Sequence, residues 1–151
     1  MSVDFFYAKP IGMWVAVVED RGEVRSIHFM KNHKGERCVH HPVSLDMQRY
    51  FNGKMIDFSC YDVDLSGFTF FEQQVLRAAR SIKWGSIITY SQLAKIIGRP
   101  GAIRAVGTAL GKNRVPVVIP CHRVVSKHGP GGFSYGVDMK KRLLGIESIK
   151  V

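Results

Sequence analysis

The apolar positions of this chain fall into short β-rich runs near the N-terminus and into helical stripes beyond residue 68. Met13 to Val18 is rich in β-formers, bounded by Gly12 and charged residues, and predicts a strand. Glu19-Asp20-Arg21-Gly22 reads as a turn, and Glu23 to Phe29 returns with Val24, Ile27 and Phe29 as packing positions, so the pair predicts a hairpin. Lys31 to His41 is polar, contains Gly35 and predicts a mobile loop. Pro42-Val43-Ser44 then opens a helical pattern in which Val43, Met47, Tyr50 and Phe51 share a face and Asn52-Gly53 is the stop. Met55 to Phe58 predicts a further strand, and the acidic stretch Asp62 to Gly67 predicts irregular chain.

Beyond it, Thr69 is a predicted N-cap with Glu72 as its capping-box partner, followed by the stripe Phe71, Val75, Ala78, Ala79 and Ile82, which Trp84-Gly85 ends. Ser91 is the predicted cap of a helix over 91–97, with Leu93, Ile96 and Ile97 inward. Gly98-Arg99-Pro100-Gly101 is a turn through which neither flanking helix can continue, and a helix over 102–112 follows. The pair predicts a helix-turn-helix. In its second helix Ala102, Ala105, Gly107, Thr108, Ala109 and Gly111 are small, and each interior glycine costs roughly 1 kcal/mol against alanine. Close packing on a neighbouring helix and close approach to a ligand both explain that choice. Arg104 is the one long cation among them. A glycine-rich loop, Lys127 to Gly136, reads as a phosphate cradle or as the wall of a pocket for a flat ring, and Asp138 to Glu147 predicts a last helix.

Charge reinforces the division. Residues 1–68 carry 8 Lys+Arg against 9 Asp+Glu, whereas residues 69–151 carry 14 against 3, so the whole excess of +10 sits in the second half. That segregation points to a polyanion, nucleic acid ahead of a membrane surface. The 151 residues suffice for one domain or two small ones, and the boundary is placed at 67/68. No apolar run of eighteen exists and Met1-Ser2-Val3-Asp4 does not open a signal peptide, so a soluble, cytoplasmic protein is expected. Cys38, Cys60 and Cys121 are too few and scattered for a disulfide framework, although a Cys38–Cys60 bridge stays open. His33, Cys38, His40 and His41 match none of the usual zinc spacings, so no metal is expected.

The chemistry concentrates at Ile119-Pro120-Cys121-His122-Arg123-Val124-Val125. A cysteine beside an apolar run is commonly a small buried hydrophobe. Here its neighbours are two potential cations, which favour the nucleophilic thiolate, and His122 can take the proton. Adjacent side chains diverge in regular structure, so His122 is expected to act through a water or a turn set by Pro120. Glu147, at a helix C-terminus where the dipole disfavours it, is either a surface ion-pair partner or held to orient His122.

Pro120-Cys121-His122-Arg123-Val124 resembles the active-site signature of the O6-alkylguanine-DNA alkyltransferases, and the resemblance runs over residues 68 to 148. Thr69-Phe70-Phe71 through Trp84-Gly85, Thr89-Tyr90 with Leu93-Ala94, Arg104-Ala105-Val106-Gly107 and Lys112-Asn113 follow in order, with a weaker match at Tyr50-Phe51-Asn52-Gly53-Lys54. The resemblance implies an α+β fold: a small N-terminal α/β domain, RNase H-like, then a mostly helical domain with a winged helix-turn-helix and the active-site cysteine. It implies Cys121 as alkyl acceptor, His122 as base through water, Glu147 holding the imidazole, Asn113 bracing the turn, and Tyr90 pressing on a phosphate or protonating guanine. Arg104 would replace the flipped nucleotide from a helix in the minor groove, with Ser91, Arg99 and Lys127 as further DNA contacts. Val124, Phe133, Ser134 and Tyr135 would form the base pocket. Phe133 stands where many members carry tyrosine, and Ser148 where glycine often follows the glutamate.

The implied reaction is single, irreversible transfer of the alkyl group from O6 of guanine in double-stranded DNA to Cys121, by a monomer, without metal or organic cofactor and without a membrane partner. It would place the protein on the nucleoid, or in the nucleus of a eukaryote. Two rivals predict other features. A cysteine-based sensor regulator needs base-reading polar residues on the second helix, and a Cys-His hydrolase leaves the basic half unexplained.

Overall fold

The computed structural model describes residues 1–151. The chain begins with a strand that the pattern did not announce, β1 (Ser2–Ala8), in which Asp4, Phe6 and Ala8 face inward. A carboxylate at one inward position hides the alternation. The buried Asp4 Oδ2 accepts the N–H groups of His40 (3.0 Å) and His41 (2.8 Å), just ahead of α1 (Pro42–Phe51). The hairpin β2 (Met13–Asp20) and β3 (Glu23–Met30) turns at Arg21 (φ 53°) and Gly22 (φ 80°), two successive left-handed residues as a right-twisted two-residue turn demands.

β1, β2 and β3 form an antiparallel meander, and β4 (Asp62–Val63) adds in parallel to β3 at Glu23 and Val24. The expected strand at Met55–Phe58 is absent. Only Phe58 there is buried, and its carbonyl accepts from the Arg80 guanidinium at 3.0 Å, a side-chain bond that takes the place of a ladder. A strand lies instead at 62–63, inside the stretch read as irregular. The 31–41 loop is tied down. Phe5 and Cys38 exchange both backbone hydrogen bonds (2.8 and 2.9 Å), and the His33 ring stacks on Phe5 at 4.1 Å.

In the second half, α2 (Phe70–Arg80) carries the Thr69–Glu72 capping box. α3 (Tyr90–Ile96) is capped by Thr89 with Gln92 reciprocating, two residues earlier than Ser91, which lies inside the helix. Ile96 points to solvent, since the helix contacts its neighbours through Leu93 and Ala94. α4 (Ile103–Gly111) buries Val106, Ala109 and Leu110 and leaves Arg104, Ala105, Thr108 and Gly111 outside. β5 (Ile88–Thr89) and β6 (Val124–Val125) pair in parallel, and α5 (Val137–Ile146) closes the chain. The two halves share one apolar cluster, in which Phe6, Ile27, Met47 and Tyr50 join Val75, Leu93, Ile119 and Leu143. Across the seam, the Ile27 N–H donates to the Arg114 carbonyl at 2.8 Å, and Arg114 donates to the Ser66 carbonyl at 2.8 Å. No helix is long and apolar enough to cross a membrane.

Candidate active site

Val115 to Pro120 runs buried through the protein and delivers Cys121 on a 3-10 turn, Cys121–Arg123. Val117 adopts φ 75°, a left-handed conformation that costs a branched side chain on the order of 1–3 kcal/mol. Asn113 holds this segment at three points. Its Oδ1 accepts the Val115 N–H (3.0 Å), and its Nδ2 donates to the Ile119 carbonyl (2.9 Å) and to Cys121 Sγ (3.1 Å). Burial pushes the Cys121 thiol above its ordinary pKa, opposed by the Asn113 hydrogen bond and the Lys140 charge. The sequence reading placed two cations beside a low-pKa thiolate. The fold spends Arg123 otherwise, on Glu147, and buries the sulfur. The resting group is a thiol.

Glu147, 2% exposed, is the hub behind the cysteine. Its Oε1 accepts from Arg123 Nε (2.8 Å) and the Gly85 N–H (3.2 Å), while Oε2 lies 2.6 Å from His122 Nε2 and accepts from the Tyr50 hydroxyl at 2.7 Å. Burial works against its charge, yet the hydrogen bonds from His122, Arg123 and Tyr50 prevail and hold its pKa at about 2. With the carboxylate ionised, Nε2 of His122 carries the proton, so Nδ1 holds the lone pair. Nδ1 is buried and has no protein partner. Burial lowers the His122 pKa despite the nearby carboxylate, leaving a neutral imidazole at pH 7. The helix-end glutamate is thus an interior partner, not a surface one.

In front of the sulfur opens a cavity of about 650 Å³. Cys121 shares its wall with Tyr90, Arg104, Gly107, Phe133 and Ser134. Small residues on the outer face of α4 leave this space open, and Arg104 is the long cation at its rim. Ser134 Oγ donates to the Gly111 carbonyl at 2.9 Å, fixing the glycine-rich loop to α4. Lys140, buried on α5, was not singled out by the sequence. Its ammonium donates to the carbonyls of Val124 (2.5 Å) and Gly132 (2.9 Å) and lies 3.4 Å from the Tyr90 hydroxyl oxygen. Burial lowers its pKa to about 8. A lysine in the polar face of an amphipathic stripe carries no sequence mark of such a position.

Cys121, His122, Asn113, Glu147, Tyr90, Arg104, Phe133 and Ser134 therefore converge on one region. Other residues named from the sequence do not line the cavity. The Val124 carbonyl is taken by Lys140, and Tyr135 packs against Phe29 at 4.8 Å, towards the N-terminal sheet. Ser91 is half-buried on α3, Arg99 lies over the Phe71 ring at 5.8 Å, and Lys127 is exposed beside Ile87 and Thr89. Cys38 and Cys60 are free and exposed; Cys38 Sγ contacts His40 Nε2 at 3.1 Å, while His41 pairs with Glu19 at 2.5 Å. Tyr50 is the other residue whose place here was missed. Its hydroxyl, in an apolar stripe, needed a partner that only the fold reveals.

Residues 70–149 match the family described as the DNA-binding domain of 6-O-methylguanine DNA methyltransferase. The chain belongs to the O6-methylguanine-DNA methyltransferase family. It is 36% identical to the methylated-DNA–protein-cysteine methyltransferase of Haemophilus influenzae across 95% of this chain and 85% of that protein. With the probable methylated-DNA–protein-cysteine methyltransferase of Acanthamoeba polyphaga mimivirus it shares 41% identity across 97% of each. The match to the Metallosphaera sedula relative is 42% identical and takes in 67% of this chain and 63% of that protein. Among solved methyltransferases, Mycobacterium tuberculosis OGT in complex with DNA superposes with a TM-score of 0.81 at 29% identity, over 97% of this chain and 92% of that one. The family's mixed α+β architecture is the one described above.

Proposed function

We propose that the protein repairs double-stranded DNA by taking the alkyl group from O6 of guanine onto Cys121 Sγ, once per molecule. The observation that carries this reading is the Cys121 thiol on the floor of an open cavity, gripped by Asn113, with Arg104 at the rim and the Glu147–His122 pair behind. Family membership supports the reaction type and DNA as the partner.

In the proposed sequence, the flipped base stacks on Phe133 beside Ser134 and the loop backbone. The Cys121 proton passes through a bridging water to His122 Nδ1, and the resulting imidazolium is held by Glu147. The thiolate attacks the alkyl carbon in line; the S–C bond forms as the O6–C bond breaks, and the electron pair returns to guanine. Guanine takes a proton from Tyr90, whose hydroxyl lies beside Lys140. A thioether has no ready return route, so the protein is consumed. Arg104 occupies the vacated place in the stack, carried by the small outer face of α4 in the minor groove. We read α3 and α4 as a winged helix-turn-helix with Ser91, Arg99 and Lys127 at phosphates, the 1–67 meander and α1 as an RNase H-like unit, and the acting species as a cytoplasmic, nucleoid-bound monomer.

Intact mass after mixing with duplex containing O6-methylguanine tests this. One methyl per protein is expected, mapped to Cys121 and abolished by Cys121→Ala. An unchanged mass with DNA binding intact would overturn transfer and leave a lesion-binding protein.

A further inference from the structure

The acid–base pair behind Cys121 is completed by a side chain from the other half of the chain. Tyr50 lies on α1, in the first 67 residues, yet its hydroxyl is fully buried against the second half. It donates to Glu147 Oε2 at 2.7 Å, and its oxygen is 3.3 Å from His122 Nε2. Two protons, one from tyrosine and one from imidazole, therefore converge on one carboxylate oxygen. The Tyr50 ring is held edge-on by Trp84 (5.5 Å between centroids), Phe58 (6.0 Å) and Phe51 (5.4 Å), and it meets the His122 ring at 6.4 Å and 70°. Such a socket leaves the hydroxyl one place to go.

We propose that Tyr50 is a positioning residue for alkyl transfer: its hydroxyl restrains the basicity of Glu147 and so sets the proton affinity of His122. This makes the N-terminal half part of the proton relay, beyond its packing role, and it rests on the reading of His122 as the base. The charged and titratable groups around the imidazole are few. Cys121 and Arg123 flank it on its own turn, Lys140 on α5 and Glu147 at the C-terminal cap of that helix approach it, and Tyr50 faces it from α1. Arg123 and the Gly85 N–H occupy the other carboxylate oxygen. Tyr50 and His122 alone share Oε2, and a change at the phenol reaches the ring through that atom and across the 3.3 Å between the phenol oxygen and Nε2. Burial and the adjacent carboxylate keep the phenol protonated, so it remains a donor throughout the working pH range.

The sign follows. Without the tyrosine donor, Oε2 draws harder on the Nε2 proton, the imidazolium is favoured, and a neutral base is available only at higher pH. A stronger phenol donor acts in the opposite direction.

The test is the pH dependence of single-turnover methyl transfer in the full chain, for wild type, Tyr50→Phe and Tyr50→3-fluorotyrosine. Tyr50→Phe is expected to move the acid limb up by about half to one pH unit, so that transfer slows about threefold to tenfold at a pH on that limb and changes little on the plateau above it, as loss of one charge-assisted hydrogen bond implies. The fluorinated residue, which keeps ring shape and hydroxyl, is expected to move the limb down. The His122 ring carbon resonance, titrated in the intact protein, should follow the same order and does not depend on transfer. Unmoved limbs and an unmoved His122 titration in the fluorinated protein, with wild type transferring normally, would overturn the inference even if Tyr50→Phe failed to fold. Absence of transfer in wild type would instead overturn the function proposed above.

Discussion

A methyl group at Gly131 would lie 2.6 Å from the Tyr90 hydroxyl oxygen and 2.8 Å from its ring, and Gly131 itself has φ +76°. The Tyr90 side chain thus occupies the space that a side chain at 131 would need, and the backbone conformation there favours glycine as well. Gly131→Ala is expected to destabilise the fold by about 1–3 kcal/mol and to push Tyr90 off its seat, slowing transfer more than tenfold. Gly129→Ala, outside the cavity lining, where an added Cβ makes only an ordinary contact with Ser126 Oγ at 3.7 Å, is the control. Equal behaviour of the two variants in denaturant melts and in transfer rate would show the contact to be idle.

Asn113→Ala removes the donor to Sγ and both grips on the strained segment around Val117. Stability should fall by about 1–3 kcal/mol, the cost of buried groups left unpaired. Single-turnover transfer should fall further than stability explains, because the thiolate loses a hydrogen bond that favours it. An unchanged rate at a temperature where the variant is folded would remove Asn113 from the chemistry.

Wild-type transfer should persist on the acid side of an ordinary histidine. Burial lowers the His122 pKa below 6.5, and the base must be neutral to accept the thiol proton, so the rate declines only as pH drops beneath that value. Because burial raises the thiol above 9.0, no gain from free thiolate is expected between pH 7 and 9. Quenched single-turnover rates across pH 5–9 check both limbs; a midpoint above 6.5 would contradict a neutral buried base.

Ser148 follows Glu147 with φ 63°, and the helix ends there in a Schellman pair: Ser148 N–H to the Gly145 carbonyl (3.0 Å) and Ile149 N–H to the Leu144 carbonyl (2.9 Å). Glycine adopts this conformation without strain. Ser148→Gly should raise stability by about 0.5–1 kcal/mol, a gain of a few degrees in Tm, without changing the transfer rate. Thermal melts decide it.

Arg104 lines the cavity from an exposed position on α4. Arg104→Ala should slow repair of O6-methylguanine in duplex at least tenfold, the duplex having lost its stand-in for the flipped base. Reaction with a free O6-alkylguanine base should change less than twofold, and equal losses on both substrates would place Arg104 in the chemistry instead.

Wherever a local signal sufficed, the chain announced its structure. Thr69 and Glu72 cap α2 as their spacing requires, and Val43, Met47, Tyr50 and Phe51 form the buried face of α1. Thr89 prevails over Ser91 by the same rule, since Gln92 stands three residues beyond Thr89 and completes a capping box, whereas Ala94 holds that place after Ser91. β1 was hidden because its inward Asp4 serves backbone donors that lie 36 and 37 residues away.

The sequence by itself determined the family of the protein, the cysteine proposed to carry its chemistry and the half that holds its excess positive charge, because motif and charge are properties of residue order. Tertiary structure alone decided the chemical state of that cysteine. Burial, which no local pattern encodes, makes Cys121 a thiol, His122 a neutral imidazole and Lys140 a weakened cation, and of the two places the sequence left open for Glu147, surface ion pair or partner of His122, it selects the second. Tyr50 joins that hub from 97 residues away, because two segments distant in sequence close around one core and only their packing sets which hydroxyl meets which carboxylate.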